Sequence, residues 1–184
     1  MLFKKTFLCL FFLLLVSCQD IQYSQRSRYT RSYKNVKLYS GNEDYGVKGK
    51  YTGYYKVGKP YEIKGVKYYP QEYDHYKEIG LASWYGDDFH NKKTANGEIF
   101  NMNEMTAAHK TLPLPSIVRV TNLENGRSVI VRVNDRGPFV DNRLIDMSKK
   151  AADALGFKHK GVMSVKVELL KKETEEFLKE HNLK

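Results

Sequence analysis

A mainly β domain, small and closed or nearly closed on itself, is the fold class the sequence predicts for residues 79–169. Short runs with period-2 apolar alternation recur through this stretch, and breakers such as Asn125-Gly126 and Gly137-Pro138 separate them. Helical patterning is confined to two short pieces. Strands this numerous with so little helix bury their apolar faces by curling one sheet onto itself.

In chain order, Lys4 and Lys5 precede an unbroken apolar stretch from Phe7 to Val16, then Ser17 and Cys18. This is the charged, apolar, small order of a secretory signal. The stretch is shorter than the roughly 20 residues a membrane-spanning helix needs. Leu15-Val16-Ser17-Cys18 resembles a bacterial lipobox, which implies loss of residues 1–17, diacylation of Cys18 and a membrane anchor of lipid rather than helix. Gln19 follows where an aspartate would resemble an inner-membrane retention signal, so outer-membrane attachment facing the periplasm is expected. Cys9 leaves with the signal and Cys18 is consumed by lipid. Cysteine nucleophiles, disulfides and cysteine metal sites are thereby excluded, and no metal or other cofactor is expected.

The formal net charge is +10, and its excess per residue lies ahead of the domain. From Cys18 to Lys50 seven Lys or Arg face three Asp or Glu, against thirteen and ten from Ile79 to Leu169. Nucleic acid is the usual first partner for a basic chain. An exported lipoprotein instead meets anionic headgroups and wall polymers, so nucleic acid is not expected here. Residues 18–54 have too few aliphatic side chains to build a core and read as a flexible, lipid-anchored tether. Thirteen of the fourteen tyrosines fall between Tyr23 and Tyr76, either as sticky aromatics in a linker or as a carbohydrate surface.

Residues 55–78 form an N-terminal extension expected to pack on the domain, with a hairpin pattern over Tyr55–Tyr69 broken by Gly58, Pro60 and Gly65. The domain opens with a strand in Gly80–Gly86, and Ile117–Asn122, Ser128–Asp135 and Val162–Leu169 follow as strands. Met102–Ala108 and Lys149–Leu155 are the short helical pieces, the second capped by Ser148 and stopped by Gly156. Residues 170–184 read as a charged terminal helix or tail.

Alternation along Ser128–Asp135 places Val129, Val131 and Val133 on an inner face, with Asp135 next on that face before the Arg136-Gly137-Pro138 turn. A rim carboxyl that loses solvent has a raised pKa and suits a general acid. An Asx-turn or an ion pair with Arg136 would lower it instead. Thr94-Ala95-Asn96-Gly97-Glu98 is a loop whose tight turn projects Glu98. His109 closes the first helical piece, where a cation is also favoured by the helix dipole. Trp84 and Tyr85 offer either a sugar-stacking platform or core aromatics.

Gly80–Gly86 (GLASWYG), Phe89-His90, Thr94–Glu98 (TANGE), Thr106–Pro113 (TAAHKTLP), Val118–Asn122 (VRVTN), Asn134–Phe139 (NDRGPF) and Arg143–Ser148 (RLIDMS) closely resemble rare lipoprotein A, the septal-ring lytic transglycosylase family. The match spans about ninety residues in one order. The resemblance implies a six-stranded double-psi β-barrel over 79–169. It places the family's functional glutamate, histidine and aspartate on Glu98, His109 and Asp135, with Trp84, Tyr85, Thr94, Asn96, Asn134 and Arg136 as substrate-binding positions. The implied reaction is non-hydrolytic cleavage of the β-1,4 bond between N-acetylmuramic acid and N-acetylglucosamine in peptidoglycan glycan strands, leaving 1,6-anhydro ends, by a monomer. Asp135 is the expected acid and base, with Glu98 the other candidate for the acid. Family members of the best-known type carry a sporulation-related repeat after the barrel, whereas this sequence runs fifteen residues past Leu169, so septal targeting is not carried over. Two other functions fit parts of the sequence: a non-catalytic, expansin-like polysaccharide-binding lipoprotein, since fold does not fix function, and an envelope tether, which leaves the barrel motifs without a purpose.

Overall fold

A computed structural model describes residues 38–39, 50–140 and 142–184. The expected signal sequence, the lipidation at Cys18 and most of the expected tether lie outside the described residues.

The strands in chain order are β1 (Leu38–Tyr39), β2 (Tyr61–Ile63), β3 (Val66–Tyr68), β4 (Lys77–Trp84), β5 (Thr106–His109), β6 (Ser116–Asn122), β7 (Ser128–Asp135), β8 (Arg143–Met147) and β9 (Met163–Leu169). Six of them close a barrel. The ring runs β4–β9–β6–β7–β5–β8 and returns to β4. The β4–β8 and β5–β7 pairings are parallel and the other four antiparallel. Each parallel pair is joined by chain that first threads other strands, the interlocked order of a double-psi barrel. Closure leaves no long sheet edge open to another chain. β1 adds a short parallel pairing outside the ring, Leu38 against Ser128 and Tyr39 against Val129.

The valine alternation sets which face turns inward. Val118 and Val120 of β6, Val129, Val131 and Val133 of β7, and Val165 and Val167 of β9 are all fully buried. Each such side chain contributes about 1.5–3 kcal/mol of burial. Ile145, Met147, Ala82 and Ala107 complete the interior from the remaining strands.

Helix α1 (Lys149–Leu155) forms as its caps predict. Ser148 Oγ accepts from Ala151 N–H, and Gly156 ends the helix at φ +79°. The other predicted helical piece, Met102–Ala108, does not form: residues 102–105 turn and Thr106–His109 is β5. Alanine's helix preference is worth only tenths of a kcal/mol per residue. Here it is overridden by two ladders, since Ala107 and Ala108 pair with β7 on one side and β8 on the other.

Helix α2 (Lys171–Glu180) buries Thr174, Phe177 and Leu178 against the barrel. Ile117 N–H donates to Thr174 Oγ1 at 2.9 Å, which pins the helix start to β6. On the N-terminal side, β2 and β3 form a hairpin through Lys64 and Gly65, both at positive φ. The chain before it bonds to the barrel: Lys56 and Leu114 exchange backbone hydrogen bonds at 2.7 and 2.9 Å. Among the described residues no helix is long and apolar enough to cross a membrane.

Candidate active site

The site begins with an irregularity in β7. β5 pairs Ala107 with Val133 but Ala108 with Asp135, so Asn134 is an extra residue in the strand. Such bulges re-aim the side chains beside them. Strict alternation places Asp135 on the valine face; the bulge instead puts it in the row of Ala108, which pairs in turn with Asp146 of β8.

Asp135 Oδ1 accepts from Ala95 N–H at 2.8 Å and from Arg136 N–H at 2.7 Å. Arg136 does not turn its guanidinium to this carboxyl. It donates to the carbonyls of Leu112 at 2.6 Å, Val57 at 2.7 Å and His109 at 3.2 Å, tying three segments together. Burial pushes the Asp135 carboxyl above the usual carboxylate range. The two backbone bonds and the Arg136 charge oppose that rise without cancelling it, and Glu98 adds to it.

Glu98 is in the opposite electrostatic state. The loop does not project it to solvent but turns it inward, where it is 5% exposed. Arg132 Nη2 donates to Oε2 at 2.6 Å, and Asn134 Nδ2 to the same oxygen at 3.0 Å. Oε1 accepts from Asn96 Nδ2 and from the Tyr51 hydroxyl, each at 2.8 Å. Burial alone would raise this carboxyl, but the Arg132 charge and the Arg132, Asn96 and Asn134 hydrogen bonds together hold it below the usual range. Glu98 is therefore a fixed carboxylate with its lone pairs occupied.

His109 follows Ala108 in β5, so it leaves the opposite face of the sheet from Asp135. Its Nδ1 accepts from Thr111 N–H at 3.2 Å and Leu112 N–H at 3.1 Å. That network assigns the proton to Nε2, which donates to the Tyr76 hydroxyl at 2.8 Å, and Tyr76 donates on to Glu78 at 2.7 Å. Burial pushes the imidazole down to about 3, with the Arg136 and Lys110 charges adding to the effect. No helix precedes it, so the helix-capping role has no basis.

The remaining predicted positions divide. Thr94 Oγ1 donates to Asn96 Oδ1 at 2.8 Å inside the loop, and Asn96, fully buried, serves Glu98. Gly97 closes the turn at φ +89°, where a Cβ would stand 2.8 Å from the Tyr54 ring. Trp84 packs against the core and donates its indole N–H to the Lys158 carbonyl at 3.2 Å. Tyr85 packs its ring edge-on to Phe100, with its hydroxyl buried.

Two residues that sequence reasoning missed complete the constellation. Arg132 lies on the outer face as alternation requires, yet is 1% exposed because Tyr51 and Phe177 of α2 lie over it, their ring centres 5.7 and 5.9 Å away. Tyr51 falls in the segment read as tether. Nothing local in either signals the other: Glu98, Arg132 and Tyr51 meet only once the barrel, the loop and the terminal segments assemble.

A family model described as lytic transglycolase matches residues 77–167. A Rickettsia felis protein named endolytic peptidoglycan transglycosylase RlpA is 50% identical over all of this chain and 81% of its own length. The chain belongs to the RlpA family. The matched stretch runs from the start of β4 nearly to the end of β9, so the lytic transglycolase model covers all but the last residues of the barrel and includes Glu98, His109 and Asp135. The Rickettsia typhi protein of the same name is 53% identical over 88% of this chain, and the Pseudomonas aeruginosa PAO1 protein 59% identical over 59%. The chain spans 50% and 32% of those two relatives' lengths.

Proposed function

We propose that this chain is a lytic transglycosylase that cleaves the MurNAc–GlcNAc β-1,4 bond of peptidoglycan without water, with Asp135 as acid and then base. The observation that carries this reading is the contrast between the two carboxyls. Asp135 has one oxygen fixed by two backbone N–H groups, no cationic side-chain partner among the described residues and a raised pKa. Glu98 is saturated and held ionised. Of the two, Asp135 is the one whose surroundings favour the protonated form a general acid needs.

The reaction follows from that assignment. Asp135 gives its proton to the glycosidic oxygen as the bond from that oxygen to the muramoyl C1 breaks. The muramoyl 6-hydroxyl attacks C1 of its own ring, forming the 1,6-anhydro bridge, and its proton passes to the Asp135 carboxylate. The acid is regenerated and no water is consumed. Tethering the nucleophile in the substrate removes the need for a second carboxyl to activate water. Glu98, ionised and paired with Arg132, anchors the Thr94–Glu98 loop whose Ala95 N–H holds Asp135. Neutral His109 holds the loop to which Arg136 is also tied.

The same proposal makes the protein a monomeric lipoprotein anchored through Cys18, in the outer membrane and facing the periplasm, with a tether ahead of Leu38, residues 50–78 as an extension on the barrel and peptidoglycan as its partner. The test is to incubate the full chain, in detergent, with intact and with amidase-stripped peptidoglycan and to seek 1,6-anhydro products by mass spectrometry. Products on at least one substrate are expected. Binding to both without such products would contradict an enzyme and leave a wall-binding module.

A further inference from the structure

A second buried carboxyl stands in register with Asp135 and has no part in the reaction as written. Asp146 of β8 pairs with Ala108, Ala108 pairs with Asp135, and Ser83 of β4 pairs with Asp146 on its other side. Directly paired residues point to one face of a sheet. Asp135 and Asp146 therefore flank the Ala108 methyl on a common face, two strands apart, or roughly 10 Å between their Cα atoms at the usual strand spacing. Alanine between them leaves no side chain long enough to screen one from the other.

The surroundings of Asp146 differ from those of Asp135. Arg143 Nη2 lies 3.1 Å from Asp146 Oδ2, and the carboxyl is 8% exposed. Asp146 Oδ1, the Tyr85 hydroxyl and Arg143 Nε are all buried without a hydrogen-bond partner among the described residues. Unpartnered buried polar atoms are few in folded proteins, and these three are gathered in one place. The Tyr85 phenol lies close enough to both carboxylates for each to push its pKa further upward, after burial.

We infer that Asp146 is a positioning residue for the lytic reaction: its charge, held by Arg143 across Ala108 from Asp135, keeps the proton on Asp135. Two neighbouring carboxyls share a negative charge unequally when only one has a cation partner. Among the described residues Asp146 pairs with Arg143, whereas Asp135 is held by backbone N–H groups. The Tyr85 hydroxyl, kept protonated, is a donor available to whichever carboxyl carries charge. The other charged groups around Asp135 are Glu98, which is paired with Arg132 yet still raises Asp135, and Arg136, which faces three carbonyls. Burial raises Asp146 as well, opposed by the Arg143 and Lys110 charges and a Ser83 backbone hydrogen bond.

The inference deepens the proposed transglycosylase reading and rests on it for its activity readout, so the test has one arm that needs no activity. In the full chain in detergent, carbon-13 NMR of the labelled Asp135 carboxyl gives its pKa directly, and the pH profile of kcat/KM for anhydro-product release gives its kinetic counterpart. Asp146→Asn removes the charge and is expected to lower the Asp135 pKa by about one unit, moving the descending limb of the profile to lower pH by the same amount. Activity on the acid side of that limb stays within about threefold of wild type. Arg143→Gln leaves the carboxylate and removes the cation, so it shifts Asp135 and the limb upward, and it decides the matter if the Asn variant does not fold. An Asp135 pKa that stays put in both variants overturns the inference, as does a drop in rate uniform across pH. Anhydro products absent from wild type, with the NMR shifts as expected, overturn the reaction and leave the coupling of the two carboxyls standing.

Discussion

Arg132 Nη2 and Glu98 Oε2 lie 2.6 Å apart in a pocket where the two side chains are 1% and 7% exposed. A buried ion pair of this kind is retained less for net stability than for what it positions, because desolvation offsets much of the attraction. Removing one partner is another matter. Glu98→Gln removes the nearer of two carboxylates on the buried Arg132 guanidinium, leaving Glu104 at 3.4 Å, and is expected to cost about 1–3 kcal/mol in urea unfolding. Glu98→Leu with Arg132→Met is expected to recover most of that while restoring no activity. A double variant as unstable as the single would show that the pair itself carries the fold.

The same carboxylate sets an acid-side stability window. Glu98 has a folded pKa below its unfolded value, so its contribution is present above the unfolded carboxyl range and is lost as pH falls through the folded value. Wild type therefore unfolds more readily in strong acid, and a Tm series below pH 4.5 is expected to be flatter for Glu98→Gln. Parallel curves would remove Glu98 from the acid response.

His109 acts in a separate window. Its pKa is pushed from 6.5 to about 3 in the folded chain, so on acidification the unfolded chain takes up this proton first. Stability falls as pH drops from about 6.5 toward 3. His109→Gln is expected to be less stable at pH 7 and to show a shallower decline of Tm between pH 7 and 4. A decline as steep as wild type would place the titrating group elsewhere.

Tyr51 tests whether the segment before the barrel belongs to the site. Its hydroxyl donates to Glu98 and accepts from Asn96 Nδ2 at 2.9 Å, while its ring stacks on His181 and meets Phe177 edge-on. Tyr51→Phe keeps the rings and removes the hydroxyl, for an expected loss of about 1–2 kcal/mol. Tyr51→Ala is expected to cost more and to loosen α2, read as faster amide exchange over residues 171–180. Unchanged exchange would mean that α2 is held from the barrel side alone, through Thr174 and Phe177.

Much of the fold was legible because it rests on local patterns. Valine alternation in β6 and β7 and the Ser148 and Gly156 caps of α1 depend on neighbours in sequence and held. β5 carries a helical pattern in sequence, and Thr106–His109 is strand only by virtue of partners supplied by β7 and β8. Asp135 was singled out from its strand phase, but the bulge at Asn134 changed that phase, since register is a property of two strands and not of one. Glu98 and His109 stand out from local pattern as a turn residue and a helix end, and only the resemblance gives them a functional role. Their opposite states, one saturated by Arg132 and the other neutral beside Tyr76, depend on contacts 34 and 33 residues away.

In the proposed reaction Asp135 is the carboxyl that moves the proton. The most direct measurement is the rate of 1,6-anhydro product release from amidase-stripped and intact peptidoglycan by wild type and by Asp135→Asn, with Tm and glycan binding recorded for both. Loss of about a thousandfold or more in kcat, with binding retained and Tm close to wild type, is the predicted result. Turnover by Asp135→Asn within tenfold of wild type would contradict it and move the proton to another group.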